Sequence, residues 1–367
     1  MENNYKLEKF EAISLILLIM INKLILNIPY YIAKLVGSGA IVNLIYIGII
    51  DFILVLIIIR LFKNFDNSDI IDVSEFLGGR KLKNVIGILC IGLFFFVAFI
   101  TLIDFSNVLH TIYFSNFPMI YIVLFFIVGT LTSNLIGFKG ISRTISFIVP
   151  FAILSVIVTF FTALGNLDIK DVTPIFGESY YNNFVLGLSN CFSMYIVVYF
   201  YFLNPLLKDT NNYKKISIIS YITSFILLLL TIIPILTLFS TTSSSEPINS
   251  LFLLSRQIEF GRFLQRIDAI FIFLWIFAIF AYLSFIVFLI NRVFRKIVPV
   301  YDERMISYST CSILLGITLI PINISHIHFI EDTLYRYIII GFTFILGIII
   351  LLLANYKKKK EQKQSDG

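Results

Sequence analysis

Ten apolar runs, most of them 20 residues or longer, fill this 367-residue sequence and leave little room for anything else. A helix needs about 20 apolar residues to cross a bilayer core, at a rise of ~1.5 Å each, because lipid offers no partner to an unsatisfied backbone group. The runs lie at 12–34, 40–62, 84–109, 118–137, 144–165, 184–203, 216–239, 268–292, 305–322 and 333–354. They predict an all-α integral membrane protein of ten transmembrane helices, a single transmembrane domain over 1–367 that ends in a basic tail at 355–367. The ninth run is the weakest, being short and carrying Ser307, Ser309 and Thr310. The first could pass for a signal peptide, but no small-residue cleavage site follows it and nine more runs do. Charged residues make up only 14% of the chain, against about 25% in an ordinary soluble protein. That balance excludes disorder, collagen, coiled coil and nucleic-acid binding as the main role.

The basic residues set the orientation, since Lys and Arg concentrate in cytoplasmic loops. With a cytoplasmic N-terminus, 21 of the 28 basic residues fall inside, among them Arg80, Lys81, Lys83, Lys214, Lys215 and the run Lys357 to Lys360. Six fall outside (Lys34, Lys170, Arg256, Arg262, Arg266 and Arg336), and Lys23 alone lies within a span. Both termini are therefore expected to be cytoplasmic. The net charge of +6 then marks the cytoplasmic surface before it marks an acidic partner. The longest connections, 63–83 and 240–267, are long enough to suggest roles of their own.

Catalytic and nucleotide-binding motifs are missing: there is no G-x-x-x-x-G-K-[ST], no G-x-G-x-x-G, no H-E-x-x-H and no C-x-x-C. His326 and His328, near Glu331 and Asp332, are spaced poorly for a helical metal site and read as polar caps on the last helix. Cys90, Cys191 and Cys311 all sit in apolar runs, so no disulfide framework is implied. No enzyme, cofactor or metal is expected, which leaves a transporter, a channel or a ligand sensor.

Ionisable groups inside spans are costly and usually face the bundle or a cavity. Lys23 and Asp51 fall at the same depth on sequential runs, and Asp104 lies in the outer half of the third. The simplest account of the first two is a buried ion pair; the alternative is that Lys23 receives a ligand carboxylate or replaces a coupling cation. Asp104 could contact a cation or a ligand amine, or reach the outer interface. The first run also holds Asn22, Asn27 and Pro29, and Pro29 removes a backbone bond and disfavours helix at Ile28. The sixth run has a matching interruption at Gly187, Ser189, Asn190 and Ser193. These are the first helices of two five-helix halves, and paired irregular segments in such positions point to a midplane site in an inverted-repeat transporter. Gly and Ser could instead merely let helices pack closely. Depth places Phe99, Ile103, Ser189, Asn190, Ser193 and Ala278 as candidate lining residues beside Asn22, Lys23, Asn27 and Asp104.

One outer segment is distinctive: Ser255-Arg256-Gln257-Ile258-Glu259-Phe260-Gly261-Arg262-Phe263-Leu264-Gln265-Arg266-Ile267-Asp268-Ala269, running straight into the eighth span. It closely resembles the signature that precedes the eighth helix in the B subunits of bacterial spore-germination receptors. Thr173-Pro174-Ile175-Phe176-Gly177, Leu203-Asn204-Pro205-Leu206 and Ser74-Glu75-Phe76-Leu77-Gly78 agree with it. The likeness runs from Glu11 to about Tyr356. That family is similar to the amino acid/polyamine/organocation transporters. The resemblance implies a 5+5 inverted repeat of the LeuT-like kind, with a ligand site between broken helices 1 and 6 and helices 3 and 8. It also implies a germinant-sensing role in the spore inner membrane beside an A-type membrane subunit and a C-type lipoprotein subunit. The family's first helix carries glycines where this chain has Asn22 and Leu24, which suggests a different ligand.

Ile248, Leu251, Phe252, Ser255, Ile258 and Glu259 share one face of a helix that could lie over the site as a lid or flat in the headgroup layer. Gly261 would end it, with Arg256 on it and Arg266 and Asp268 flanking the start of the eighth span. The leading function is a germinant receptor subunit for a small amino acid. The runner-up is a permease coupled to protons through Asp104 or Lys23, and a third reading is a purely structural subunit.

Overall fold

The computed structural model of the chain describes residues 5–26, 28–164, 173–177, 179–241, 268–298, 302–320 and 324–365. Among these residues the fold is built from helices, and the only extended pairing is one parallel bridge between Leu7 and Leu207. The helices are α1 (Lys9–Ile25), α2 (Ile28–Val36), α3 (Ala40–Phe62), α4 (Ile70–Ile112), α5 (Met119–Ile136), α6 (Phe138–Leu164) and α7 (Ile196–Leu203). They continue with α8 (Tyr213–Thr241), α9 (Asp268–Ile297), α10 (Glu303–Thr318), α11 (Ile324–Phe329), α12 (Arg336–Ile340) and α13 (Ile348–Ser365).

Seven stretches among the described residues are long and apolar enough to cross a membrane, or eight when the bent pair Tyr181–Met194 and Ile196–Leu206 counts as one. Ile28–Phe62 counts there as a single stretch. The first and ninth apolar runs are met by shorter helices, α1 with 17 residues and α10 with 16. Two of the polar side chains that weaken the ninth run, Ser307 and Thr310, have partners. Asn291 of α9 donates to Ser307 Oγ at 3.0 Å and accepts from Thr310 Oγ1 at 2.8 Å.

Helices distant in sequence interleave. α9 packs on α4, α6 and α5, while α1 packs on α8, α6 and α9. α3 packs mainly on α8, on a 3₁₀ segment at Leu186–Met194 and on α13, not on α1. The core is aromatic-rich, with Phe138 stacked on Phe288 at 4.1 Å between centroids.

The long loop after α3 is organised by α4 itself. Asp69 caps it, accepting from the Ile71 and Asp72 amides at 3.1 and 3.2 Å, and the Asp72 carboxylate accepts from the Asp69 amide at 3.0 Å. This reciprocal cap satisfies donors that a helix start otherwise leaves open. The helix then kinks at Gly78 and Gly79, the latter at φ +67°, a conformation glycine adopts without a Cβ penalty.

The face of the bundle that carries the N-terminus is tied together. Leu7 pairs with the segment after α7 through Leu7 N–H to Leu206 O (2.8 Å) and Lys208 N–H to Leu7 O (3.0 Å). Lys6 Nζ donates to Asn67 Oδ1 and to the Pro205 carbonyl, both at 2.8 Å. Lys296 Nζ lies 2.6 Å from carboxylate oxygens of both Asp69 and Asp72, joining α9 to the start of α4. Glu8 holds the exposed Lys208 ammonium up from its usual value through a 3.0 Å hydrogen bond.

Candidate functional site

The break in the first span follows from Pro29. A proline ring has no N–H for the carbonyl four residues back and collides with it, and here that carbonyl belongs to Ile25, the last residue of α1. The Leu26 amide makes the final helical bond, to Asn22 O at 3.2 Å, and α2 resumes at Ile28. Leu24, which replaces a glycine of the resembling family, stays helical. The break therefore falls next to the proline and not at the glycine positions.

The sixth span breaks differently. A π turn at Tyr181–Val185 leads into nine residues of 3₁₀ helix, Leu186–Met194, and the chain then bends by 42° at Tyr195 before α7. Runs of 3₁₀ beyond three or four residues are uncommon and often mark hinges. Tyr195, at the bend, donates its hydroxyl hydrogen bond to the Ile19 carbonyl of α1. The bend of the sixth span is thus in direct contact with α1, two turns before the first break.

An aromatic box joins them. Lys23, fully buried, holds its ammonium 4.3 Å from the centroid of Tyr335. Tyr335 in turn packs on Phe192 and Tyr195 of the sixth span, each at 6.4 Å between centroids, and on Phe96 of α4 at 6.2 Å. Phe99 and Ile103 follow Phe96 at helical spacing and are buried, as is Asp104. Ala278 lies one turn before Tyr282 on α9, whose hydroxyl pairs with Tyr199 at 3.1 Å. The side-chain amide of Asn22 and the hydroxyl of Ser193 are buried without a hydrogen-bond partner among the described residues. Buried polar atoms are rarely left so, and each asks for a ligand, a water or a change of state.

Ser189 and Asn190 have protein partners. Arg336, only 4% exposed, donates to Ser189 Oγ (3.0 Å) and Asn190 Oδ1 (2.6 Å) and pairs with Asp332 at 2.9 Å. Its guanidinium lies 4.4 Å over the Phe192 ring. Asn190 donates to Asn43 Oδ1 at 2.8 Å, and Asn43 donates to the Asn183 carbonyl at 2.7 Å. A network from the second, sixth and last spans therefore holds the 3₁₀ segment. Gly187 gives it room: a Cβ there would overlap Asn43 Nδ2 and stand 3.0 Å from the Asn182 carbonyl. Gly187→Ala should displace Asn43 and cost about 1–3 kcal/mol through overpacking, read as a lowered Tm in detergent.

The structure corrects the expected Lys23–Asp51 ion pair. Lys23 lies on Tyr335, whereas Asp51 faces the Cys191 thiol and forms no salt bridge among the described residues. Equal depth on sequential spans did not make them neighbours, because α3 packs against the sixth and seventh spans and not against α1. Asp332, expected as a helix cap, instead partners Arg336 and Lys34, the latter at 3.3 Å. Asn27 and the segment with Arg256, Glu259, Gly261 and Arg266 lie outside the described residues, and Asp268 opens α9. Arg336, Tyr335 and Asn43 escaped the reading of the sequence. The charge count sets Arg336 on the outer side, yet it is buried at the start of the tenth run, between π turns at Ile330–Tyr335 and Gly341–Gly347.

Comparison with known proteins bears on this arrangement. No curated protein matches the sequence. Among solved structures, the fold is similar to that of MhsT, determined in complex with L-phenylalanine, with a TM-score of 0.66, 13% identity, and coverage of 96% of this chain and 97% of that one. It is also similar to a variant of the manganese transporter of Eremococcus coleocola, with a TM-score of 0.51, 12% identity, and coverage of 96% and 79%. Likeness at these identities shows the fold, that of LeuT-like transporters. A family model described as spore germination protein matches residues 6–327, nearly the whole membrane-embedded chain. With its apolar helices, its two broken spans and that match, this integral membrane protein belongs to the spore germination protein family.

Proposed function

We propose that the chain is the membrane subunit of a spore germinant receptor that binds a small amino acid where its first and sixth spans break. In this reading it has ten spans in two inverted five-helix halves, keeps both termini in the cytoplasm, and sits in the spore inner membrane beside an A-type membrane subunit and a C-type lipoprotein. The observation that carries it is the meeting of the two breaks at Tyr335, with the unpartnered Asn22 amide and Ser193 hydroxyl one residue from Lys23 and Phe192. The N-terminal end of α2 suits a ligand carboxylate, and the carbonyl end of α1 with Asn22 suits its ammonium. The amino acid bound to MhsT, whose fold this chain shares, supports that ligand class. A sensor needs only to bind one conformation better than another.

Asn22→Ala provides a sharp test, because its two effects have opposite signs. Removing a buried unpaired amide should leave the empty protein as stable or more stable, while the lost ligand bond should weaken amino-acid binding roughly tenfold. Melting temperature and equilibrium binding on the purified protein read the two separately.

The transporter fold supports a second reading, a proton-coupled permease. Proteoliposomes offered a labelled amino-acid panel decide between them when bound and accumulated label are scored apart. Saturable binding without accumulation is the receptor outcome. Accumulation that collapses with the proton gradient is the permease outcome.

A further inference from the structure

We propose that Asp51 is a proton-binding site within the membrane, and that its proton governs how closely the 3₁₀ segment of the sixth span holds to α3. The inference rests on α3 lying in the bilayer and is independent of which ligand the broken spans bind.

Asp51 sits mid-way along α3, 1% exposed, and neither carboxyl oxygen has a hydrogen-bond partner among the described residues. Lys23, buried on the first span at matching depth, is directed to Tyr335. Of the elements packed on α3, the 3₁₀ segment presents the Cys191 thiol to Asp51, and α8 presents the Tyr221 hydroxyl. Among the described residues, the other elements packed on α3 bring no charged group to Asp51. Tyr221 is already committed, donating to the Gly48 carbonyl at 2.7 Å. This leaves the carboxyl facing a thiol.

An ionised carboxylate in such surroundings, with no counter-charge and only a weakly donating thiol beside it, is costly enough that the group neutralises by taking a proton. A hard metal cation would ask for six or more oxygens, and a thiol with a committed phenol does not supply them. The neutral acid carries one O–H to donate and lets α3 and the 3₁₀ segment stay in contact. That contact is the same seam on which Asn190 donates to Asn43. When the O–H bond breaks, the proton leaves to water and the remaining carboxylate must be hydrated. Parting the seam would admit that water. Protonation therefore favours the closed arrangement of the sixth span, and loss of the proton favours an opened one.

Infrared spectroscopy of the purified protein in proteoliposomes tests the proton directly. The expected result is a protonated-carboxyl C=O band at neutral pH that disappears in Asp51→Asn, moves in Asp51→Glu and moves again in Cys191→Ser. Asp51→Asn has the shape of the neutral acid and is expected to fold. A band absent from the native protein, or unmoved by all three substitutions, would overturn the proposal. The coupling is read in a Cys90→Ser, Cys311→Ser background, where Cys191 is the remaining thiol. Its labelling by a membrane-permeant thiosulfonate should accelerate with rising pH more steeply when Asp51 is present than in Asp51→Asn. Identical pH profiles would sink the coupling.

Discussion

Arg336→Met is expected to destabilise the protein by about 3 kcal/mol, because it strips a buried acceptor of its donor and removes a cation from an aromatic face at once. Asn190 Oδ1 would lose its 2.6 Å donor and Ser189 Oγ its 3.0 Å donor. Methionine fills a similar volume, so the loss reports the hydrogen bonds and charge more than a cavity. Asp332 would keep Lys34, which moderates the effect. Lys34→Met is the matched control: that pair is half exposed on the lysine side, and exposed pairs contribute ~1 kcal/mol at most. Melting curves of the two variants in detergent should separate clearly. Equal curves would show that the network around the 3₁₀ segment contributes little to stability.

Lys296→Met should cost about as much, near the lower end of the 3–5 kcal/mol typical of a broken buried pair. Its ammonium joins two carboxylates at 2.6 Å, and the Asp69 side chain is 1% exposed. Without it two negative groups confront each other at the cap of α4, with Arg292 of α9 the remaining nearby positive charge. The double variant Lys296→Met, Asp69→Asn removes the stranded charge and should recover most of the loss. A double variant no better than the single one would show that the lysine acts through packing and not through charge.

The membrane character and the first break were legible in the sequence because each depends on local chemistry. Apolar length dictates a span, and Pro29 dictates where α1 stops, whichever neighbours surround them. The interruption of the sixth span was legible for the same reason, through Gly187, Ser189, Asn190 and Ser193. Partners across the bundle were not. Lys23 and Asp51 share a depth, yet in interleaved halves the second span leans on the sixth and seventh, so Asp51 meets Cys191 while Lys23 meets a tyrosine of the last span. Ser189 and Asn190 could be placed at the right level without any sign that Arg336 already occupies them. Charge rules set Arg336 on the outer side; only the neighbouring helices show that it turns inward.

The bridge between Leu7 and Leu207 makes the two broken spans mechanically one part. It joins the lower end of α1 to the chain leaving α7, with two backbone bonds and the Lys6 bond to the Pro205 carbonyl across the joint. At about 1 kcal/mol each, those bonds hold the two spans in step by roughly a hundredfold in population. A pull on either break is then felt by both, like two jaws on one rivet. A carrier that must swing its first helix alone has to draw that rivet on every cycle, whereas a detector can move the pair together and leave it in place.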